Sequence, residues 1–172
     1  MKKFLSIIAL FAICATANAQ QVQVANVSTL PGEKGVITLS VDPAGKTFVG
    51  MSFDFKFVND GFTIGTAKIV DTDAWNGGSV VMGDIGGVGE GIARGAIVST
   101  SLTAIPDGMN DIVSIEVLAD ADMELGEYNV ILTNVTFNAE NTADDYVVDA
   151  DIPFTITVSD RWVLDENATS LP

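Results

Sequence analysis

Apolar and polar residues alternate along most of this chain, most clearly over Phe48 to Phe57, FVGMSFDFKF. There Val49, Met51, Phe53, Phe55 and Phe57 alternate with Gly50, Ser52, Asp54 and Lys56, the period-two signature of a strand with one buried and one wet face. Three phenylalanines on one side make a flat apolar strip that a second layer must cover, which predicts a central strand of a sandwich. The polar side of that strand is then a sheet face left in water and available for binding.

The same pattern predicts strands at Val22 to Val27, Val36 to Val41, Phe62 to Val70, Ser79 to Met82, Ile92 to Leu102, Ile112 to Leu118, Tyr128 to Phe137 and Ile152 to Val158. Turn chemistry separates them: Leu30-Pro31-Gly32-Glu33, Asp42-Pro43-Ala44-Gly45, Asn59-Asp60-Gly61 and Ala104 to Asn110. Within YNVILTNVTF the apolar set changes phase near Leu132 and Thr133, as a β-bulge or a switch of sheet requires. Ala119 to Gly126 admits one short helical turn and is otherwise an acidic connector. Gly83 to Gly91 holds five glycines in nine residues. It lacks the Gly-Lys-Ser/Thr continuation and the helix that a phosphate loop needs, so it reads as a strand connector. About nine closely spaced strands without an amphipathic helix predict an all-β sandwich or barrel.

The two ends read differently. Residues 1–19 have the form of a secretory signal: Lys2 and Lys3, an apolar run from Phe4 to Ala15, and Ala17-Asn18-Ala19 as a small-x-small cleavage site. That run is too short to span a bilayer. Ile13 before Cys14 departs from the small residue that lipid attachment wants. Residues 20–159 then form one domain, and 160–172, ending in the polar stretch from Asp165 to Ser170, form a linker or tail. The expected location is secreted, extracellular or at the cell surface.

Charge and residue types narrow the function. Once the signal and its two lysines are removed, six basic residues face 23 acidic ones, a balance of −17. Such a surface repels nucleic acid and anionic membrane, so neither is an expected partner. The chain has no histidine, and its one cysteine, Cys14, leaves with the signal. The usual triads, thiol nucleophiles and zinc sites are thereby excluded. A carboxylate pair could hydrolyse glycosides, but nothing singles out two acids among 23. The chain reads as a non-enzyme.

No cofactor is expected, with calcium left open. Asp120, Asp122 and Glu124 begin like an EF-hand loop, but Leu125 stands where glycine is needed and Ile131 where the bidentate glutamate is needed. Asp71 with Asp73, Asp107 with Asp111, and Asp144 with Asp145 are loop pairs that could contribute ligands. Among the aromatics outside the strand patterns, Trp75 in its Gly-rich loop is the candidate for stacking on a sugar; the alternative is a ring folded over the sandwich edge.

Several segments taken together resemble a cohesin domain: Gly32-Glu33-Lys34-Gly35-Val36-Ile37-Thr38-Leu39, Val49-Gly50-Met51-Ser52-Phe53-Asp54-Phe55, GIARGAIVST, Gly126-Glu127-Tyr128 leading into ILTNVTF, and PFTITV. The resemblance covers roughly residues 22 to 158. It implies a nine-stranded sandwich with jelly-roll topology that binds dockerin modules and so assembles polysaccharide-degrading complexes. In cohesins the third strand offers an Asn-x-Asp pair to the dockerin; Ser52 and Asp54 take those places here, so the aspartate matches and the asparagine does not. The implied contact is Gly50, Ser52, Asp54 and Lys56. Two other functions stay open: a carbohydrate-binding module that holds a polysaccharide through Trp75, and a structural or adhesive surface subunit.

Overall fold

The computed structural model describes residues 21–70, 75, 78–83 and 91–160. The signal segment 1–19, the tail beyond residue 160, the Asp71/Asp73 pair and most of the glycine-rich connector lie outside the described residues. Eleven strands are present: β1 (Gln21–Val24), β2 (Val27–Thr29), β3 (Lys34–Asp42), β4 (Gly50–Phe57), β5 (Phe62–Ile69), β6 (Gly78–Met82), β7 (Ile92–Ser99), β8 (Asn110–Ala119), β9 (Gly126–Asn138), β10 (Tyr146–Val147) and β11 (Ile152–Val158). They form a jelly-roll sandwich. One sheet has the order β1-β3-β8-β5; the larger runs β2-β11-β9-β4-β7-β6, with β10 added to β9.

Every segment expected to be a strand contains one, and the run Val22 to Val27 contains parts of two. The count rises from nine to eleven for two local reasons. The run Val22 to Val27 divides at Ala25 and Asn26: β1 pairs with β3 in the small sheet, whereas β2 pairs with β11 in the large one, the single parallel pairing among the described strands. Asn26 Oδ1 accepts a hydrogen bond from Thr155 N at 3.0 Å, which ties the crossing point to β11. The other addition, β10, is two residues long and follows a single 3₁₀ turn at Thr142–Asp144. Between β8 and β9 the chain makes a turn rather than a helix, with Met123 N donating to Asp120 O at 3.2 Å.

The β4 alternation places the core as predicted. Met51, Phe53, Phe55 and Phe57 point between the sheets and are buried against Ile37, Leu39 and Val41 of β3 and Val113, Ile115 and Val117 of β8. Full burial of each such side chain stabilises the sandwich by roughly 1.5–3 kcal/mol before the entropy cost of ordering it. Phe53 meets Phe55 edge-on at 5.4 Å, and Phe55 meets Phe154 of β11 at 5.7 Å. Gly95, opposite Phe53 on β7, leaves the floor open for the Phe53 ring: a Cβ there would lie 2.4 Å from two ring carbons.

The phase change in β9 is a bulge. Ser52 pairs with Thr136 but Asp54 with Thr133, so Asn134 and Val135 together face Phe53. Val130 and Leu132 are buried before the bulge, and Val135 and Phe137 after it. Asn134 takes a positive φ of 52°, a left-handed conformation that asparagine tolerates better than most residues. The extra residue keeps both halves of β9 in the core and turns the Asn134 side chain toward β4.

Candidate functional site

Strand registers place the outward side chains of four strands in rows across the large sheet. Ser79, Val98, Gly50 and Asn138 form one row; Val81, Ala96, Ser52 and Thr136 form the next. The third holds Arg94, Asp54 and Thr133, and the fourth Ile92, Lys56 and Ile131. The middle of this face is low, because Gly50, Ala96 and Ser52 have little or no side chain. Val81 is 66% exposed and Val98 46% exposed. Together they give a flat, partly apolar surface bounded by charge.

Of the four β4 residues singled out in the sequence, Ser52 and Lys56 reach this outer face as expected, Lys56 exposed and Ser52 half-buried. Gly50 is buried, and a Cβ there would lie 2.7 Å from Ile97 O, so only glycine lets β4 and β7 approach this closely. Asp54 requires a correction. Its side chain points outward, yet it is only 3% exposed, because residues from both neighbouring strands cover it. Arg94 donates from Nε to Asp54 Oδ1 at 2.7 Å and from Nη2 to Oδ2 at 2.8 Å; Asn134 Nδ2 donates to Oδ2 at 3.0 Å. Asp54 is therefore an internal anchor rather than a carboxylate free to receive a partner.

The hydrogen bonds from Arg94 are the main reason the Asp54 carboxyl titrates below its ordinary range. Burial works the other way, and the Asn134 hydrogen bond and the Arg94 charge add to the lowering. Asp54 in turn raises Arg94, so both stay ionised at neutral pH. The arm of Arg94 lies over Asp54 with its side chain 56% exposed. Sequence reasoning missed both partners of Asp54. Alternation in GIARGAIVST already turned Arg94 outward, and Asn134 stands where the β9 pattern breaks, but only the β4 register brings them to Asp54.

Trp75 also requires a correction. It is fully buried, its Nε1 donates to Thr103 O at 2.8 Å, and its ring lies so near Gly78 that a Cβ there would be 2.7 Å from Cε3. A ring covered on all sides offers no face to a sugar. An aromatic that does reach water beside polar groups is Tyr146, 37% exposed, in an open groove of about 640 Å³ at one end of the sandwich. Lys46, Phe48, Glu140 and Asp144 share that groove.

Asp107 and Asp145 hold the backbone, and Asp111, in β8, holds a serine hydroxyl. Asp107 Oδ1 accepts from Gly45 N at 2.7 Å, Asp111 Oδ1 accepts from Ser40 Oγ, and Asp145 Oδ1 accepts from Ala139 N at 2.8 Å. Among the described residues no three carboxylates converge as a metal site would need. No helix among them is long and apolar enough to cross a membrane.

No protein-family model and no curated protein sequence matches the chain. Solved structures do match, over most of its length. The third ScaB cohesin of R. flavefaciens, solved with a group 1 dockerin, superposes with a TM-score of 0.60 at 17% identity, covering 86% of this chain and 99% of its own. The fold is cohesin-like. A cohesin module of a Clostridium perfringens family 33 glycoside hydrolase gives a TM-score of 0.61 at 12% identity, covering 84% of this chain and 99% of that one. A non-cellulosomal cohesin from the archaeon Archaeoglobus fulgidus gives 0.58 at 8% identity, over 81% and 91%. At 8–17% identity the likeness is one of fold, so what the outer face of this sandwich can bind follows from its own residues.

Proposed function

We propose that this chain is an exported, non-catalytic cohesin-like module that docks a dockerin-like protein module on the outer face of β6, β7, β4 and β9. One observation carries the reading: Gly50 and Ser52 of β4 and Ala96 of β7 form a low floor at the middle of the four-strand face, with Val81 and Val98 exposed at its side. A helix can lie on such a floor and bury apolar area without displacing large side chains. The residue inventory agrees, since a chain without histidine and with Cys14 as its sole cysteine has few groups for acid–base or nucleophilic chemistry.

Val98→Glu tests the site. The side chain is exposed, so the thermal midpoint should stay within about 2 °C of the parent, while capture of a dockerin-bearing exported protein in calcium should be lost. Equal capture by variant and parent would remove this face from the account.

A second reading keeps a polysaccharide ligand and moves it from Trp75 to the Tyr146 groove. An exposed ring beside Lys46, Glu140 and Asp144 has the stacking surface and hydrogen-bonding groups that a sugar needs. Tyr146→Ala should then increase mobility in a polysaccharide affinity gel; unchanged mobility would eliminate the groove.

A further inference from the structure

We infer that the docking face is read by positive charge: Arg94, held in place by Asp54 and Asn134, acts with Lys56 to select a partner helix that presents carboxylates. This rests on the docking reading above and adds the chemistry of its partner. The molecule is strongly acidic, with 23 Asp and Glu against eight Lys and Arg. Its docking face is the reverse. In the four rows across β6, β7, β4 and β9, the exposed ionised groups are Arg94 and Lys56, and the one carboxylate, Asp54, is buried beneath Arg94. Asp151, hydrogen-bonded to Thr133, marks the margin toward β11, and the β6–β7 connector beyond Gly83 carries Asp84 and Glu90, outside the described residues.

Arg94 is suited to recognition because it is already aimed. Asp54 takes one N–H from Nε and one from Nη2, and the other three of the five guanidinium N–H groups have no acceptor among the described residues. A side chain fixed before binding loses little rotamer entropy on binding, and guanidinium geometry suits a carboxylate. Lys56 lies diagonally across the β4–β7 ladder, because Asp54 pairs with Arg94 and Lys56 with Ile92. Two acidic side chains one helical turn apart match that spacing. An apolar residue on the same helix face would meet Val81 and Val98. Asp54 is thus a positioning residue, and Arg94 and Lys56 are the specificity determinants.

The test is a displayed library of dockerin-fold modules, randomised at exposed helix positions and selected in parallel on the full chain, its Val98→Glu variant and its Lys56→Glu variant. Binders lost on Val98→Glu should be enriched in Asp and Glu, and selection on Lys56→Glu should shift enrichment toward Lys and Arg. For a selected acidic binder, Arg94→Gln should weaken affinity about tenfold or more and flatten its salt dependence. Asp54→Asn should weaken affinity while keeping the salt dependence, as a positioning role requires. Face-specific binders without acidic enrichment would overturn the charge inference and leave the docking reading intact. If no binder is sensitive to Val98→Glu, the docking reading itself falls, and the inference with it.

Discussion

Gly95→Ala probes the packing that supports the binding face. Gly95 sits on the inner side of β7 directly opposite Phe53, and the added methyl would lie 2.4 Å from Phe53 Cε2 and Cζ and 2.6 Å from Met82 Sδ. Met82 can swing away, but Phe53 is buried among Phe55 and the facing sheet. Overpacking of this kind costs about 1–3 kcal/mol. The loss of glycine's freedom in the unfolded chain offsets about 0.4–1 kcal/mol of that. A net loss of about 1–2 kcal/mol corresponds to a fall of about 3–8 °C in thermal midpoint for a domain of this size, read by circular dichroism. Gly126→Ala is the control: a Cβ there meets nothing within 4 Å, so its midpoint should stay within about 2 °C of the parent. Phe53→Leu removes the ring carbons that the methyl strikes. The double variant Phe53→Leu, Gly95→Ala should therefore lose about 1 kcal/mol less than the sum of the single losses. Equal midpoints for Gly95→Ala and Gly126→Ala would refute the packing argument.

Three further outcomes follow from the same geometry. With Trp162→Phe leaving Trp75 as the one tryptophan, emission should be short-wavelength and resist iodide, and Trp75→Ala should cost about 3–5 kcal/mol in urea unfolding; iodide quenching at the rate of free tryptophan would contradict its burial. Asp54 has a lowered folded pKa, so its contribution to stability is complete above the unfolded value of about 3.9 and is lost as pH falls through the folded value. Urea midpoints of the parent should then drop more steeply below about pH 4 than those of Asp54→Asn, and parallel curves would count against the ion pair. At Asn134, with φ at 52°, a β-branched residue is strained, so Asn134→Val should be less stable than Asn134→Gly by about 1 kcal/mol or more; equal urea midpoints would argue against the left-handed bulge.

Alternation was enough to locate the strands of the sandwich, because each half-buried strand repeats its burial every second residue. It also located the β9 bulge within two residues, since Val130, Leu132, Val135 and Phe137 cannot share one face without an extra residue between them. Pairing partners were not legible. Asp54 points outward as its position in FVGMSFDFKF requires, but outward became buried once Arg94, forty residues away, came into register beside it. Local periodicity holds no information about that register. Trp75 failed for a related reason. Nothing in a glycine-rich loop reveals which way a ring turns, and its partner, Thr103, lies 28 residues on. These corrections also change how the face must be probed: replacing Asp54 with lysine would bury a cation against Arg94 and unfold the domain, so Ser52 and Val98 are the positions that test binding without disturbing the core.

Titration calorimetry of the chain with a calcium-loaded dockerin module, run beside its Val98→Glu variant, tests the docking face most directly. The account predicts saturable one-to-one binding by the parent, none by a variant of unchanged thermal midpoint, and loss of binding when calcium is chelated from the module. Equal affinity of parent and variant would contradict it.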